Sequence, residues 1–311
     1  MPKDYEEIAL RHWNLSSKPR EEEEREILFM DDIIQKAHLE REIIRNLEGV
    51  RTVFDGGAGT GRFSIFLARL GVQVIHFDIS RSMLDSAREK AVEAGVLDRM
   101  DFVQGRLTEL EAYRDGQFDM VISFDAPVSY TYPRQHEVLS ELVRIARSKV
   151  IVSVASRLGW LPYLFNPAQK QQYVIPDDVD ERAWYAPPSP EMMDKWVPDF
   201  NKYRRQLTTG ITEDPDQVLD EMVQGGSPWP ITYGFLPDEL ESSLQQAGLK
   251  NIRLAGPGAL SRSIPRLILK KLLLTEYREE FLQTCYEFDS SPWVSGLGKD
   301  TIVACGTKEQ R

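Results

Sequence analysis

The sequence predicts an α/β fold built on an open, doubly wound, mostly parallel sheet. Between Val50 and Ser156, short apolar runs such as "VRTVFD" and "VQVIHFD" alternate with amphipathic runs such as "RFSIFLARL". A parallel sheet covered by helices on both faces requires this alternation. The glycine-rich stretch "DGGAGTG" follows the first apolar run, where a strand must turn into a helix. The alternation breaks off after Ser156 and returns near the C-terminus, so distant parts of the chain complete the sheet.

The composition limits the classes of protein to which the chain can belong. Its 311 residues are 41% hydrophobic and 28% charged, as in ordinary globular proteins, and the net charge of −11 argues against a polyanionic partner. Two cysteines, Cys285 and Cys305, are too few for a secreted disulfide scaffold. The start "MPKDYEEIAL" lacks the basic and apolar regions of a signal peptide, and no apolar run approaches the ~20 residues of a membrane span. We therefore expect a cytoplasmic protein that binds neither nucleic acid nor membrane.

The first 48 residues form a predicted helical region. In "REEEEREILFMDDIIQKAHLEREIIRNL" the apolar residues recur near the helical period, and the acidic run Glu21–Glu24 lies where a helix start favours negative charge. A long amphipathic helix of this kind is also compatible with a homodimer.

Three further regions follow. Residues 49–157 hold the alternating core, which continues through "MDFVQG", "FDMVISFD", "RQHEVLSELVRIAR" and "KVIVSVAS". Residues 158–232 are rich in Pro, Trp, Tyr and Asp and too long for a plain connection, so they indicate an inserted region after the fifth strand. Residues 233–311 complete the α/β core, with the helix and strand of "LPDELESSLQQAGLKNIRLAG", a helical segment from Ile264 to Glu287, and a last strand in "DTIVACGTK".

The spacing of the glycines separates the possible ligands. Dinucleotide-binding loops favour Gly-x-Gly-x-x-Gly, whereas here the glycines are Gly57-x-Gly59-x-Gly61 and Arg62 takes the place of the third dinucleotide glycine. No lysine follows in the manner of a phosphate-binding P-loop. The loop therefore indicates a nucleoside ligand without a diphosphate, which disfavours an NAD-dependent oxidoreductase.

The loop resembles motif I of the class I S-adenosylmethionine-dependent methyltransferases, which reads acidic-x-Gly-x-Gly-x-Gly. The following segments "VQVIHFDIS", "SMLDSAREKA", "MDFVQGRLTEL" and "GQFDMVISFDA" are similar to that family's next strands and helix. The resemblance implies a seven-stranded, mostly parallel sheet with an antiparallel last strand. It also implies a methyltransferase with S-adenosyl-L-methionine as its cofactor, an N-terminal lid in residues 1–48, a cofactor-binding core in residues 49–157 and a substrate cap in residues 158–232.

The resemblance also implies a set of cofactor-binding residues. Asp78 would accept hydrogen bonds from the ribose hydroxyls, Met83 would pack near the adenine, and the amides at the start of the helix after the loop favour the methionine carboxylate. Arg106 stands where the family often has an aspartate, so the backbone or Gln104 would read the adenine amino group. The expected set is Asp55, Gly56, Gly57, Gly59, Gly61, Arg62, Asp78, Ile79, Met83, Arg106, Leu107 and Phe124.

The acceptor is less clearly encoded. "SFDAPVSYTY" partly resembles the Asp/Asn-Pro-Pro-aromatic motif of amino-group methyltransferases, but Ala126 and Val128 depart from it. We therefore expect a small-molecule acceptor with a nitrogen or oxygen nucleophile. The alternatives are an RNA or protein methyltransferase, or an inactive cofactor-binding protein. The candidate catalytic residues are Asp125 as a base or an acceptor-orienting group, with Tyr130 and His136. Asp125 could instead cap the next helix, His136 could be helix-start surface, and His76 is expected to be structural.

Aromatic residues are dense around the expected acceptor site. They either line an apolar pocket or build the insertion's own core, and they are Trp160, Tyr163, Tyr173, Trp184, Tyr185, Trp196 and Trp229. Arg157, Tyr163 and Asn166 follow the fifth strand and can reach the acceptor. Tyr5, His12 and Trp13 belong to the N-terminal segment expected over the cofactor. With four histidines and no cluster of ligand-type residues, no metal site is predicted.

Overall fold

The computed structural model describes residues 5–164, 190–195, 197–211 and 213–309. Its centre is a seven-stranded sheet of order β3-β2-β1-β4-β5-β7-β6. The strands β1 to β5 are parallel, and β7 pairs antiparallel with both β5 and β6. The predicted fold class, including the antiparallel last strand, is confirmed. The strands are β1 Thr52–Gly56, β2 Gln73–Asp78, β3 Met100–Gln104, β4 Phe118–Ser123, β5 Ala146–Ala155, β6 Leu249–Ala255 and β7 Thr301–Lys308.

Helices lie between the strands and before the sheet. In the described residues they are α1 Glu6–Trp13, α2 Lys18–Leu28, α3 Met30–Asn46, α4 Arg62–Arg69, α5 Arg81–Glu93, α6 Gln135–Ile145, α7 Arg157–Leu164, α8 Pro190–Lys195, α9 Phe200–Thr209, α10 Pro215–Val223, α11 Pro237–Gln246, α12 Arg266–Leu274 and α13 Arg278–Asp289. A short 3₁₀ helix, Pro127–Thr131, follows β4.

The sheet is covered on both faces, as the alternating pattern predicts. One apolar cluster joins it to α6 and α11, through side chains that include Leu139, Leu142, Leu240 and Leu244. A second cluster on the opposite face includes Leu39 and Ile43 of α3 and Phe63, Ile65 and Leu67 of α4. Both faces of β1 and β4 are therefore buried, which explains why these strands are nearly continuous apolar runs.

The N-terminal helical region is divided where the sequence predicts one continuous helix. The chain takes an extended conformation at Phe29, with φ −93° and ψ 118°, so α2 and α3 are separate helices. The predicted helical segment from Ile264 to Glu287 is likewise two helices, α12 and α13. Met30 and Ile34 at the start of α3 pack with Leu269, Leu273 and Phe281 of α12 and α13 in one apolar cluster.

The region predicted as an insertion begins with α7 and ends near β-bridges that return the chain to the sheet. Ser156 pairs with Phe235, and Ile211 pairs with Tyr233. Asn166, Tyr173, Trp184, Tyr185 and Trp196 lie outside the described residues, as does the side chain of Tyr163. Among the described residues, no helix is long and apolar enough to cross a bilayer and no group of side chains has the arrangement of a metal site.

Candidate active site

A cleft opens at the carboxyl ends of β1, β2 and β4, where ligands bind in open α/β sheets. It holds about 980 Å³ of empty space, counted to its open mouth. Helices α1 and α2 form one wall, and the glycine loop forms the floor. Its lining residues are Glu6, Ala9, Trp13, Glu22, Asp55, Gly57, Ala58, Gly59, Thr60, Arg62, Phe63, Phe77, Asp78, Ile79, Met83, Gly105, Leu107, Phe124, Asp125, Pro127, Tyr130 and Thr131.

Two glycines of the loop have different reasons to be glycine. Gly57 has φ +73°, and a Cβ on it would lie 2.3 Å from the Cβ of Pro127. Gly59 has φ +55° and no atom within 4 Å of the position of a Cβ. Gly57 therefore lets the chain after β4 approach the loop, while Gly59 leaves open space beside bare backbone.

Asp78 ends β2 and faces this bare backbone. Its Oδ2 accepts the Gly59 N–H at 2.8 Å and its Oδ1 accepts the Ser80 N–H at 2.8 Å. Burial raises the pKa of the carboxyl to about 6, while the hydrogen bonds from Ser80 and Gly59 hold it down. Asp78 is therefore ionised at neutral pH, and its oxygens retain lone pairs that can accept further hydrogen bonds.

The N-terminal segment closes onto the same edge. The hydroxyl of Ser80 accepts the Met83 N–H and donates to the carbonyl oxygen of Trp13 at 2.9 Å. On α2, Glu23 accepts the hydroxyl of Ser86 at 2.9 Å and lies 3.6 Å from the Nζ of Lys90. Both helices of this segment are thus attached to α5, which follows β2.

Asp125 lies at the far end of the cleft, directly after β4. Its backbone has φ +63°, a left-handed conformation that costs free energy in a non-glycine residue, and its N–H donates to Ser153 Oγ at 2.8 Å. Gln35 Nε2 donates to its Oδ1 at 3.1 Å, and Arg25 Nη2 donates to its Oδ2 at 3.3 Å. Side chains of α2 and α3 therefore hold the carboxylate at the cleft wall, and Ser153 of β5 holds its backbone.

Arg25 connects this carboxylate to the break between α2 and α3. It bonds to Glu22 on its own helix at 2.7 Å and to Asp32 on α3 at 2.5 Å. Burial raises the pKa of Asp32 to about 7, against the opposing attraction of Arg25. The break at Phe29 thus places one cation among three carboxylates.

Arg25→Ala is expected to lower the free energy of unfolding by about 2 kcal/mol, because the buried Asp32 loses its cation. Arg20→Ala is the matched control on the same helix. Its side chain is 83% exposed and pairs with Glu24 one turn away, so little change is expected. Urea unfolding measures both variants. Equal losses would contradict the assignment of Arg25 as the residue that anchors α2.

An aromatic group covers the Asp125 end of the cleft. The ring centroid of Trp13 lies 5.5 Å from those of Tyr130 and Trp229, and His12 packs against both tryptophans. Burial raises the pKa of the Tyr130 hydroxyl well above its usual range, so it stays protonated. Trp229, predicted from the insertion, and Trp13, predicted from the N-terminal segment, therefore meet at the same wall.

The structure brings most of the predicted site residues to this cleft. Of the twelve expected cofactor residues, Gly56, Gly61 and Arg106 are not part of its lining; Asp125 and Tyr130 are. Gly56 is the last residue of β1, and Gly61, with φ +86°, precedes α4.

The structure places Arg106, His136 and Arg157 outside the lining of the cleft. Arg106 donates to Glu7 of α1 at 3.1 Å, so it attaches the N-terminal helix instead of reaching the cleft. His136 lies on α6 with its Nδ1 2.9 Å from the hydroxyl of Ser243, away from the cleft lining, which argues against a catalytic role. Arg157 is buried and donates to the Gly234 carbonyl and to Glu239, so it secures the end of the insertion.

Several residues that line the cleft, or that hold a lining residue in place, were not predicted from the sequence. Glu6 and Glu22 on the first two helices belong to the cleft, and Gln35 and Arg25 hold Asp125. Their separation from Asp125 by about one hundred residues left no local signal. The acidic run Glu21–Glu24, predicted only as the start of a helix, was the one available pointer.

Comparison with known proteins agrees with this geometry. The model of a methyltransferase domain matches residues 53–149. The magnesium-protoporphyrin O-methyltransferase of Rhodobacter capsulatus is 30% identical over 147 residues, which are 45% of this chain and 63% of that protein. Protein arginine N-methyltransferase 1 of Schizosaccharomyces pombe is 30% identical over 110 residues, 35% of this chain and 30% of that protein. The chain thus matches less than two thirds of the length of these relatives.

A solved structure supports the fold over the whole length. The magnesium protoporphyrin IX methyltransferase of Synechocystis PCC 6803, with bound SAM, aligns with 99% of this chain and 98% of its own, at a TM-score of 0.53 and 15% identity. Identity this low is informative about the fold alone. Residues 53–149 therefore match a methyltransferase domain, and the sheet and its helices have the fold of the class I S-adenosylmethionine-dependent methyltransferases.

Proposed function

We propose that the protein is an enzyme that transfers a methyl group from S-adenosylmethionine to a nitrogen or oxygen atom of a small molecule. The observation that carries the proposal is the ionised Asp78 carboxylate, which faces the open backbone of Gly59 in a cleft continuous with Asp125. A nucleoside with free ribose hydroxyls and no diphosphate suits these groups. The cofactor supplies an activated methyl group on a sulfonium, and the protein supplies binding and alignment.

The residues of the cleft fit the proposed cofactor. Asp78 would bind the ribose hydroxyls, and Ile79, Met83 and Leu107 would surround the adenine with apolar surface. The N–H groups at the start of α4, beside Arg62, would hold the methionine carboxylate. Gly57 and Gly59 keep the floor free of side chains.

The far end of the cleft favours a metabolite over a polymer as acceptor. It is covered by the rings of Trp13, Tyr130 and Trp229 and contains the carboxylates of Glu22 and Asp125. The relatives named for magnesium-protoporphyrin methylation support a small-molecule acceptor. Those named for arginine methylation keep a protein acceptor as the second candidate.

Labelled methyl transfer tests this function. The purified protein is incubated with methyl-labelled S-adenosylmethionine and either a metabolite extract, total RNA or a protein extract, and labelled products are identified by mass spectrometry. We expect a labelled metabolite. Label in protein alone would favour the second candidate, and label in RNA alone would contradict both acceptor classes. Cofactor binding without any transfer would indicate an inactive cofactor-binding protein.

Asp125→Asn is expected to lower kcat with the identified acceptor by about 100-fold, as for the loss of a general base or orienting carboxylate. Asparagine tolerates the left-handed backbone at this position, so the loop conformation is preserved. Steady-state kinetics measure kcat, and calorimetry with S-adenosylmethionine serves as the control for binding. An unchanged kcat would restrict Asp125 to anchoring α2.

A further inference from the structure

A chain of three buried side chains lies beneath the glycine loop. The Ser64 Oγ is 2.6 Å from Asp55 Oδ2 and 2.9 Å from His76 Nδ1. The other ring nitrogen of His76, Nε2, is 3.1 Å from the carbonyl oxygen of Gly59. All three side chains are at most 2% exposed, so water does not supply missing protons or lone pairs.

Counting donors and acceptors fixes where the hydrogens lie. The Gly59 carbonyl can only accept, so His76 Nε2 must carry the hydrogen. A neutral imidazole carries one N–H, hence its Nδ1 accepts the hydroxyl hydrogen of Ser64. Ser64 has a single hydrogen to donate. With a neutral His76, the short contact between Ser64 and Asp55 is therefore a hydrogen bond only when Asp55 is the protonated donor.

One other arrangement satisfies the same contacts, with His76 as an imidazolium and Asp55 ionised. It holds the same number of hydrogens but buries two charges. Burial raises the pKa of Asp55 to about 7 and lowers that of His76 to about 3, which favours the neutral arrangement. The charged neighbours act in the same direction: the carboxylates of Asp78 and Asp125 disfavour an ionised Asp55, and Lys90 disfavours a charged His76. Phe102 packs on the His76 ring and separates it from Arg88.

We propose that Asp55 is protonated in the folded protein and that its hydrogen, passed through Ser64 and His76, positions Gly59 for cofactor binding. Asp55, Ser64 and His76 are then positioning residues, and the inference rests on the proposed function because Gly59 and Asp78 belong to the cofactor site. Gly59 is held on both sides of its Cα, by His76 at its carbonyl and by Asp78 at its N–H. Rotation of this residue would turn its N–H away from the ribose-binding carboxylate.

Loss of the Asp55 proton leaves one of the three contacts between two acceptors. If Ser64 donates to the ionised Asp55, a neutral His76 can donate its single N–H either to Ser64 Oγ or to the Gly59 carbonyl oxygen, but not to both. The affinity for S-adenosylmethionine is therefore expected to weaken about tenfold as the pH rises above about 7 and Asp55 loses its proton.

Calorimetric titration with S-adenosylmethionine from about pH 6.5, where Asp78 is ionised, to about pH 9 tests the proposal. Asp55→Ala and Ser64→Ala are expected to weaken binding at every pH, because each interrupts the chain. Asp55→Asn keeps a donor to Ser64, so it is expected to restore the affinity and to remove the pH dependence. The ligand's own amino group titrates identically with every variant, so the difference between wild type and Asp55→Asn isolates the protein. Weak binding by Asp55→Asn at every pH, or parallel pH profiles for the two, would overturn the proposal.

Nitrogen-15 NMR of the histidine rings provides a second test that does not depend on the cofactor. In the ligand-free protein, His76 is expected to be neutral with hydrogen on Nε2 and a bare Nδ1, and its signal is assigned by its loss in His76→Gln. A doubly protonated ring, or hydrogen on Nδ1, would overturn the proposal. If the wild type fails to bind S-adenosylmethionine while the ring has the expected tautomer, the proposed function fails and the protonated Asp55 stands.

Discussion

Asp78→Ala is expected to weaken S-adenosylmethionine binding by about 100-fold or more, which corresponds to about 3 kcal/mol. The variant removes the carboxylate proposed to bind the ribose hydroxyls. It also removes the acceptor that fixes the N–H of Gly59, so the loop loses a support at the same time. The two losses act on the same ligand, which makes this the largest single effect that we expect on binding.

Asp101→Ala is the matched control for this variant. Asp101 is an exposed carboxylate on β3, paired in register with Ile75 of the same strand β2 that ends in Asp78. Asp101→Ala changes the net charge by the same amount as Asp78→Ala, but Asp101 does not line the cleft. Isothermal calorimetry of both variants and the wild type gives the affinities. If Asp78→Ala binds as tightly as Asp101→Ala, then the ribose site is elsewhere.

Gly57→Ala is expected to damage both the stability and the cofactor site. The new Cβ would lie 2.3 Å from the Cβ of Pro127, closer than real Cβ contacts, and the left-handed backbone adds about 1 kcal/mol of strain. Overpacking of this kind costs about 1–3 kcal/mol. The chain after β4 must shift away from the loop, and a displacement of about 1 Å is expected to lower cofactor affinity by at least tenfold.

Gly49→Ala separates the clash from the backbone strain. Gly49 has φ +76°, almost the same as Gly57, and no atom lies within 4 Å of the position of its Cβ. It precedes β1 at the opposite end from the cleft. Thermal unfolding is expected to show a smaller loss for Gly49→Ala, and calorimetry is expected to show unchanged cofactor affinity. Equal effects of the two substitutions would show that Pro127 does not need a glycine at position 57.

The fold could be predicted because local patterns determine most of it. The alternation from β1 to β5 places each strand and helix, and the glycine spacing with Asp78 marks the edge at which the cleft opens. Strand ends carry this information because parallel strands bring their carboxyl ends to one edge of the sheet. Asp125 could be assigned to the same edge for the same reason, as the residue directly after β4.

The break between α2 and α3 could not be predicted, because the helical period continues through it. The helix ends at Phe29 so that Arg25 can fold back to Asp32 and Asp125. These contacts join parts of the chain that are far apart in sequence, and no local pattern records them. Ion pairs of this kind override a helical preference worth tenths of a kcal/mol per residue.

For Arg106 and His136 the position in the sequence suggests a role in the cleft, but in the structure their side chains contact Glu7 and Ser243 instead. Arg106 stands in the adenine-side loop by sequence, yet the carboxylates of α1 lie close enough to take its side chain. His136 follows the cleft-lining segment by a few residues, but the turn at Arg134 directs α6 toward α11. The sequence gives the order of the residues after a strand, but it does not give the direction in which the chain and its side chains continue.

Crystallography with S-adenosylhomocysteine tests most directly whether the glycine loop between β1 and α4 binds the adenosyl group. We expect electron density for the nucleoside along the Gly57–Gly59 loop, with both ribose hydroxyls hydrogen-bonded to Asp78 and the sulfur directed toward Asp125. A cleft that stays empty at saturating ligand, or a nucleoside bound away from Asp78, would contradict it.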